Sequence, residues 1–430
     1  MSDRFEFAQA LGNALDPFSS GLVEVAIDRI RELEHSLRTH DVALDEIERL
    51  HCIEWCRIQR VALWNEMSDL TCAEELIDDV VEELATVPVR HPMLAQECFC
   101  IEQMTAGLLK ADVLKSRGYF SQAIRVLDDL YLSFRHATFH GDSSCFGQMT
   151  SLRSVCSEYL GHDSDSVVYV GGRNNSNDQS HETHWTIPVP LCGVMYSAYQ
   201  GEWSERSAEY HFVDEDSAIE KYDALNSLRD FTSTWAEQFP EAMVPRQRLT
   251  IYELWRARLE MRLELFEQFE STTEALQEEL DSELESSSES VYHYLAVVRS
   301  LVALALDVGW HDYPTEEFRS RYVPVSYGCI VTGASLIEIL TEECPVDQAL
   351  ALVISKHSNT AAGIYQLFEQ FNEAASEDSK CRVIINELLK RDPMNDVALR
   401  LRVAYLGFVV VIDPEIEATI QNWNWSIETV

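Results

Sequence analysis

Apolar residues recur every three or four positions along most of this chain, which is the spacing of amphipathic helices. In the first 160 residues the pattern predicts helices over 22–37, 44–64, 72–85, 93–116 and 119–134. Further along it predicts helices over 203–228, 231–239, 248–285 and 291–308, with about five more after residue 315. The sequence therefore predicts an all-α protein.

One stretch combines a long apolar stripe with a row of polar oxygens. Residues 346–372 carry the stripe and predict one long helix. Gln366, Glu369 and Glu373 follow at steps of three and four, so on one helix they would share a face. Mg²⁺ prefers oxygen ligands and binds with substrate phosphates, so the row suits half of a diphosphate site. The alternative is a solvated helix face, which is common for charged rows.

A second acidic group lies far upstream and completes a suggestive order. Asp214, Glu215 and Asp216 follow an aromatic-aliphatic pair, and Glu220 lies one helical turn after Asp216. Between the two acidic groups, residues 317–322 begin another helical segment and contain two arginines. The chain thus reads acid row, arginine, acid row.

Composition and charge narrow the class of protein. The chain has 430 residues, 46% of them hydrophobic, and only 16 Gly and 12 Pro, which favours helices over sheets that need many turns. A formal net charge of −40 argues against a surface for nucleic acid or anionic membranes, because both need clustered Lys and Arg. Eleven cysteines without paired CxxC spacing are typical of free thiols in a reducing compartment.

The sequence also predicts where the protein is located and how the chain divides into domains. The first residues show no charged leader with an apolar run, and no apolar segment reaches the roughly 20 residues that span a bilayer, so we expect a cytoplasmic protein outside the membrane. Residues 1–160 form an N-terminal helical region, and 161–188 a loop or hairpin linker. Residues 189–430 form a second helical domain. The segment 111–123 is similar to the hinge of a tetratricopeptide repeat, but no second copy recurs at a fixed period.

Residues 190–430 resemble class I terpene synthases, whose two metal motifs and intervening arginine have the order described above. The family's second motif falls on Tyr365, Gln366, Glu369 and Glu373, where only the last residue is kept. Its first motif falls on 214–216 with Glu220, also altered. The departures are similar to those of a non-standard fungal branch that includes a humulene synthase. The resemblance implies a class I terpene synthase-like α-helical bundle with an N-terminal helical extension.

The same resemblance implies a sesquiterpene synthase that ionises and cyclises farnesyl diphosphate with Mg²⁺, as in the formation of humulene. Asp214, Glu215, Asp216, Glu220, Gln366, Glu369 and Glu373 would then be metal ligands. Arg321, with Arg319 and Arg256, would hold the diphosphate, because arginine stabilises the charge that develops on a leaving phosphate. Tyr365 and Phe368 would join Arg321 as catalytic residues, because aromatic faces stabilise carbocations.

Two other classes stay open. A non-catalytic α-solenoid adaptor of tetratricopeptide type would bind other proteins, and it predicts a continuous repeat in place of a pocket. A silent paralogue would keep the fold without the activity. The product, the substrate chain length and the choice between monomer and homodimer also stay open.

Overall fold

The computed structural model describes most of the chain. The residues it describes are 4–19, 22–39, 44–90, 100–134, 144–161, 215–238, 240, 242–285, 290–405 and 412–427. The predicted linker 161–188 therefore lies, apart from Gly161, outside the described residues.

The described residues form sixteen helices. Those before residue 161 are α1 (Arg4–Ser19), α2 (Val23–Arg38), α3 (Glu46–Glu66), α4 (Leu70–Arg90), α5 (Cys100–Ser116), α6 (Phe120–Phe134) and α7 (Ser144–Tyr159). Those after it are α8 (Glu215–Gln238), α9 (Met243–Arg262), α10 (Phe266–Glu285), α11 (Val291–Gly309), α12 (Glu316–Glu343), α13 (Gln348–Leu367), α14 (Phe371–Arg391), α15 (Asp396–Tyr405) and α16 (Pro414–Gln421). In the part of the chain that the structure describes, the one β-type pairing is an isolated bridge between Val346 and Trp425, so the all-α prediction is confirmed.

The chain divides into two compact units. Among the described residues, the first unit contains 4–156 and 233–246, and the second contains 157–161, 215–232 and 247–427. In the first unit the helices pack in chain order, from α1 on α2 through to α5 on α6, and α3 also contacts α1 and α5. Buried apolar side chains of α1 to α5, among them Phe7, Ile30 and Trp55, form its core.

The second unit packs by the same rule. Helix α11 contacts α12 and α13, α12 contacts α13, α13 contacts α14, and α10 contacts α12. Helices α15 and α16 then pack on α14. The end of α7 is an exception to chain order, because the carbonyl oxygen of Leu160 accepts hydrogen bonds from the side-chain amides of Gln348 and Asn395.

Consecutive helices are joined repeatedly by the same three-residue connection. Four connections have one residue in the left-handed region, at Ser68, Gly118, Glu264 and Glu369. In each, that residue's N–H bonds the carbonyl three positions back, and the next N–H bonds the carbonyl five positions back. These two bonds are the Schellman motif, which satisfies the last carbonyls of a helix. The second helix begins two residues after the left-handed one, as α4, α6, α10 and α14 do.

This connection overturns two predicted helices. The predicted helix over 248–285 is two helices, α9 and α10, and the predicted helix over 346–372 is α13 and α14. Both breaks fall at a glutamate in the left-handed conformation, Glu264 and Glu369, with φ of 58° and 59°. Glutamate is a good helix former, so the sequence offers no Gly or Pro to mark either break.

The second helices of these hairpins also begin alike. Their fourth residue is buried: Ala73 in α4, Ala123 in α6, Phe269 in α10 and Ala374 in α14. Helix α2 follows α1 after three residues and has buried Ala26 at the same position. In four of these five hairpins the residue is alanine, whose small side chain lets the two helices approach closely, whereas α10 has Phe269.

Two described helices are long and apolar enough to cross a membrane, by length and composition alone. Helix α11 is 67% buried inside the protein over the relevant window, as expected for a core helix, and α12 is 39% buried. The expectation that no apolar segment reaches this length is therefore wrong.

Candidate functional site

The acidic row predicted near the C-terminus does not lie on one helix face. Gln366 lies in the last turn of α13, Glu369 in the connection and Glu373 in the first turn of α14. All three side chains are exposed. The prediction that they lie one above the other is wrong, because the Schellman connection reverses the chain between Gln366 and Glu373.

The upstream acidic group can be placed only in part. Asp214 lies outside the described residues, whereas Glu215, Asp216 and Glu220 lie on α8, whose side-chain positions at these residues are not described. Across the described part of the chain, no group of three or more His, Cys, Asp or Glu side chains is arranged to hold a metal ion. Gln366, Glu369 and Glu373 are divided between α13, the connection and α14, and the predicted Mg²⁺ site stays a prediction.

Arg321, the predicted diphosphate sensor, is engaged with a carboxylate of its own chain. Its Nη2 lies 2.5 Å from both carboxylate oxygens of Glu270 on α10, and its Nε lies 3.1 Å from one of them. This bidentate contact with Glu270 raises the pKa of the Arg321 guanidinium above its ordinary value. Both side chains are open to solvent, at 59% and 37% exposure.

The two other arginines predicted to hold the diphosphate, Arg319 and Arg256, have surroundings different from those of Arg321. Arg319 is exposed on the first turn of α12. Arg256 on α9 donates from Nε to Glu260 at 2.8 Å, and Glu260 also accepts from the hydroxyl of Tyr222 at 3.0 Å. Arg256 thus belongs to a network that joins α8 and α9 within the second unit.

Tyr365 and Phe368, the predicted aromatic catalytic residues, pack on one partner. The ring of Tyr327 on α12 meets Tyr365 at 5.9 Å and Phe368 at 5.2 Å, both edge to face. Burial raises the pKa of Tyr365, and the nearby carboxylate of Glu377 raises it further. These edge-to-face contacts are those of a packed seam between α12 and α13.

A surface pocket of about 320 Å³ lies among the last helices of the second unit. It is lined by Val383, Asn386, Glu387, Leu389, Lys390, Arg402, Ile412 and Glu417. The lining has charges of both signs and no aromatic side chain, so it differs from the dry, aromatic-lined cavity that a carbocation needs. Tyr365 and Phe368 are not among its lining residues.

A dense aromatic cluster covers the start of α10. The ring of Phe266 stacks on Tyr322 at 5.3 Å and meets Phe318 at 4.9 Å, and both partners lie on α12. The rings of His311 and Tyr313, from the segment before α12, lie 6.0 Å and 6.5 Å from the ring of Phe266. The Arg321–Glu270 ion pair lies at the edge of this cluster, which makes the whole arrangement a helix-docking contact inside the chain.

The position equivalent to Phe266 is exposed to solvent in the hairpin of α13 and α14. Phe266 is the first residue of α10, and the first residues of α4 and α6, Leu70 and Phe120, are each 1% exposed. The first residue of α14 is Phe371, which is 66% exposed. Leu367, at the end of α13, is 36% exposed. No signal in the sequence distinguished Phe371 from its counterparts, because their difference lies in what packs over them.

Comparisons with protein-family models, with curated proteins and with solved structures found no match for this chain.

Proposed function

We propose that this protein is an α-solenoid of helical hairpins that acts as a scaffold for binding other proteins. The observation that carries the proposal is the recurrent three-residue connection with its paired Schellman bonds, at Ser68, Gly118, Glu264 and Glu369. The connection joins successive helices into hairpins, and hairpins that stack on their neighbours form solenoids with extended binding surfaces.

The packing order supports the same function. Apart from the end of α7, the helix pairs in close contact within each unit are neighbours or next-but-one neighbours in the chain, as in repeat proteins. The fourth residue of the second helix is buried in each of these hairpins, and it is alanine in three of the four, as Ala73, Ala123 and Ala374. The tetratricopeptide-like segment 111–123 contains one of these connections, at 117–119.

Charge favours one kind of partner. The chain has 73 acidic and 33 basic residues, so its field attracts basic surfaces and repels nucleic acid. Complementary charge mainly speeds encounter and improves specificity, while buried aromatic anchors supply most of the affinity. We therefore expect a basic protein partner whose binding weakens as salt concentration rises.

The terpene synthase activity stays a prediction. Its described metal donors are exposed and divided between α13, the connection and α14, and its arginine is paired with Glu270. A scaffold function requires none of these residues to meet a diphosphate. The geometry thus supports the scaffold better than the cyclase.

One pair of measurements separates the two functions. Full-length protein is incubated with Mg²⁺ and farnesyl diphosphate and the headspace is analysed by gas chromatography, with a known sesquiterpene synthase as positive control. We expect no volatile product. In parallel, proteins captured by the immobilised chain at two salt concentrations are purified and titrated by calorimetry. We expect at least one direct complex; product formation, or the absence of any direct complex, would overturn the scaffold proposal.

A further inference from the structure

Helix α12 has an exposed face without charge along most of its length. No charged residue occurs from Tyr322 to Ile337, and 39% of the most apolar window of the helix is buried, against 67% for α11. The buried side chains, among them Tyr322, Ile330 and Ile337, lie on the side that packs on α11 and α13. Val331, on the opposite side, is 43% exposed. An exposed apolar face of this length marks an interaction surface.

The residues of this face form one stripe along the helix. Exposed or partly exposed positions recur at steps of three and four, which is the spacing of residues that share one helix face. They are Arg321, Pro324, Gly328, Val331, Ser335, Glu338 and Glu342. Ile339, also partly exposed, lies beside the last of the uncharged positions. The stripe thus carries a cation near its start, no charge in its middle and carboxylates at its end.

Two residues of the stripe are poor helix formers that the packing of the described chain does not require. Glycine and proline are the least favourable residues inside a helix. Gly333, on the buried side of α12, is crowded, because a Cβ atom there would lie 3.0 Å from His357. A Cβ atom on Gly328 would meet nothing within 4 Å among the described residues. Gly328 and the exposed Pro324 therefore leave room for a helix from outside to approach α12 closely.

Charge along the stripe identifies a second copy of the chain as the occupant. Arg321 is 59% exposed and pairs with Glu270 through Nε and Nη2, and its Nη1 forms no hydrogen bond among the described residues. Glu338 and Glu342, at the other end, form no ion pair within the described part of the chain. A face with a cation at one end and carboxylates at the other complements itself when two copies run antiparallel. Parallel copies would bring like charges together.

We propose that α12 pairs with α12 of a second copy, antiparallel across a two-fold axis beside Val331, and so forms a homodimer. The pairs across the axis are Arg321 with the partner's Glu342, Pro324 with the partner's Ile339, and Gly328 with the partner's Ser335. Glu317 lies beyond the paired length, because the partner's α12 ends at Glu343. The homodimer is independent of the scaffold function, since no other protein takes part in it.

Sedimentation velocity of the full-length chain, up to ~100 μM, measures the association. Physiological salt is used, because a net charge of −40 makes copies repel each other at low salt. We expect a monomer–dimer equilibrium whose Kd rises at least ~10-fold in Gly328→Leu, since the added side chain holds the helices apart. Gly12→Leu is the matched control, because Gly12 in α1 is exposed and also has nothing within 4 Å of an added Cβ atom. Its Kd should change less than ~2-fold.

The acidic end of the stripe tests the direction of the pair. In an antiparallel dimer Glu342→Gln removes two symmetric contacts with Arg321, so its Kd should be ~2–10-fold higher than that of Glu343→Gln. Glu343→Gln is the matched control, because it makes the same charge change at an exposed position one residue off the stripe. A Kd lowered by Glu342→Gln would indicate parallel helices and overturn the proposed pair.

The remaining outcomes are equally decisive. A wild-type protein that stays monomeric, or a Gly328→Leu protein that dimerises as the wild type does, would overturn the homodimer. The melting temperature of Gly328→Leu should equal or exceed that of the wild type, because leucine is a better helix former than glycine. A lower melting temperature would mean that the chain itself covers Gly328, which also overturns the dimer. If the wild type is monomeric and Gly328→Leu loses a purified complex, the occupant is another protein, and the scaffold function stands without the dimer.

Discussion

Arg321 on α12 holds both carboxylate oxygens of Glu270 on α10, each at 2.5 Å from its Nη2. The pair ties the covering helix to the helix it covers, alongside the stacked rings of Phe266 and Tyr322. Because both charges remain exposed, water and salt screen most of their attraction, and the aromatic contact contributes more to the packing.

The first prediction concerns this ion pair. Arg321→Ala should move the melting temperature of the protein by less than ~2 °C, since solvent-exposed pairs contribute little to stability. Differential scanning calorimetry at low and at high salt measures the change, with Glu270→Gln as the matched partner variant. A much larger loss in Arg321→Ala than in Glu270→Gln would show that Arg321 has a role beyond this pair.

The second prediction compares equivalent phenylalanines. Phe266→Ala should lower the free energy of unfolding of the second unit by ~2–3 kcal/mol, because it removes a half-buried ring from an aromatic cluster. Phe371→Ala should cost less than ~0.5 kcal/mol, since that ring is 66% exposed. Urea denaturation measures both. Equal losses would mean that Phe371 is covered in solution.

The third prediction uses the left-handed residue of the last connection. Glu369→Gly should raise the free energy of unfolding by ~0.5–1 kcal/mol, because glycine adopts φ of 59° without steric cost. Glu373→Gly, four residues later inside α14, should lower it by about 1 kcal/mol, because glycine is a poor helix former. Denaturant titration of both variants tests the sign, and the same sign for both would contradict the assigned backbone.

The fourth prediction concerns Glu54, which is fully buried in α3. Burial raises the pKa of its carboxyl from 4.5 to about 7, although Arg57 lies 3.1 Å away and opposes the shift. The folded state therefore holds this proton more tightly, so stability falls as pH rises from 4.5 to 7. Ionised Glu54 costs about 3 kcal/mol above pH 7, since each pKa unit is worth ~1.4 kcal/mol.

Removing the titrating group should remove that dependence. Glu54→Gln should gain stability relative to the wild type as pH rises from 5 to 8, and Glu75→Gln at an exposed position of α4 is the matched control for the loss of one carboxyl. Urea denaturation at four pH values measures the difference. Parallel pH profiles of wild type and Glu54→Gln would exclude a buried proton at Glu54.

Much of the fold follows from local sequence signals. The exceptions are the helix breaks that tertiary packing, and no local residue, determines. Ser290 and Thr315 accept hydrogen bonds from the first turns of α11 and α12, as expected of Ser and Thr before an apolar run. The breaks at Glu264 and Glu369 had no comparable signal. A left-handed glutamate costs only ~1–2 kcal/mol, which the packing of α10 on α12 and of α14 on α13 outweighs.

The candidate site was predictable to a smaller extent. The sequence placed Arg321 near the start of a helix, which α12 confirms, but its partner Glu270 lies 51 residues away and no local pattern pairs them. The repeated hairpins also escaped a search for a fixed period, because the connections at 67–69, 117–119, 263–265 and 368–370 are unevenly spaced. Shared backbone geometry reveals them, although the left-handed residue is Ser, Gly or Glu.

The bonds to Leu160 have a consequence for how the chain acquires its structure. Hairpins with three-residue connections can form as soon as both helices leave the ribosome, because their loops close at little entropic cost. The two hydrogen bonds to the carbonyl oxygen of Leu160 cannot form until Gln348 and Asn395 have been synthesised, 188 and 235 residues later. The second unit should therefore complete its folding late, in a step slower than hairpin formation. Chains that end before residue 395 should not show this slow folding step.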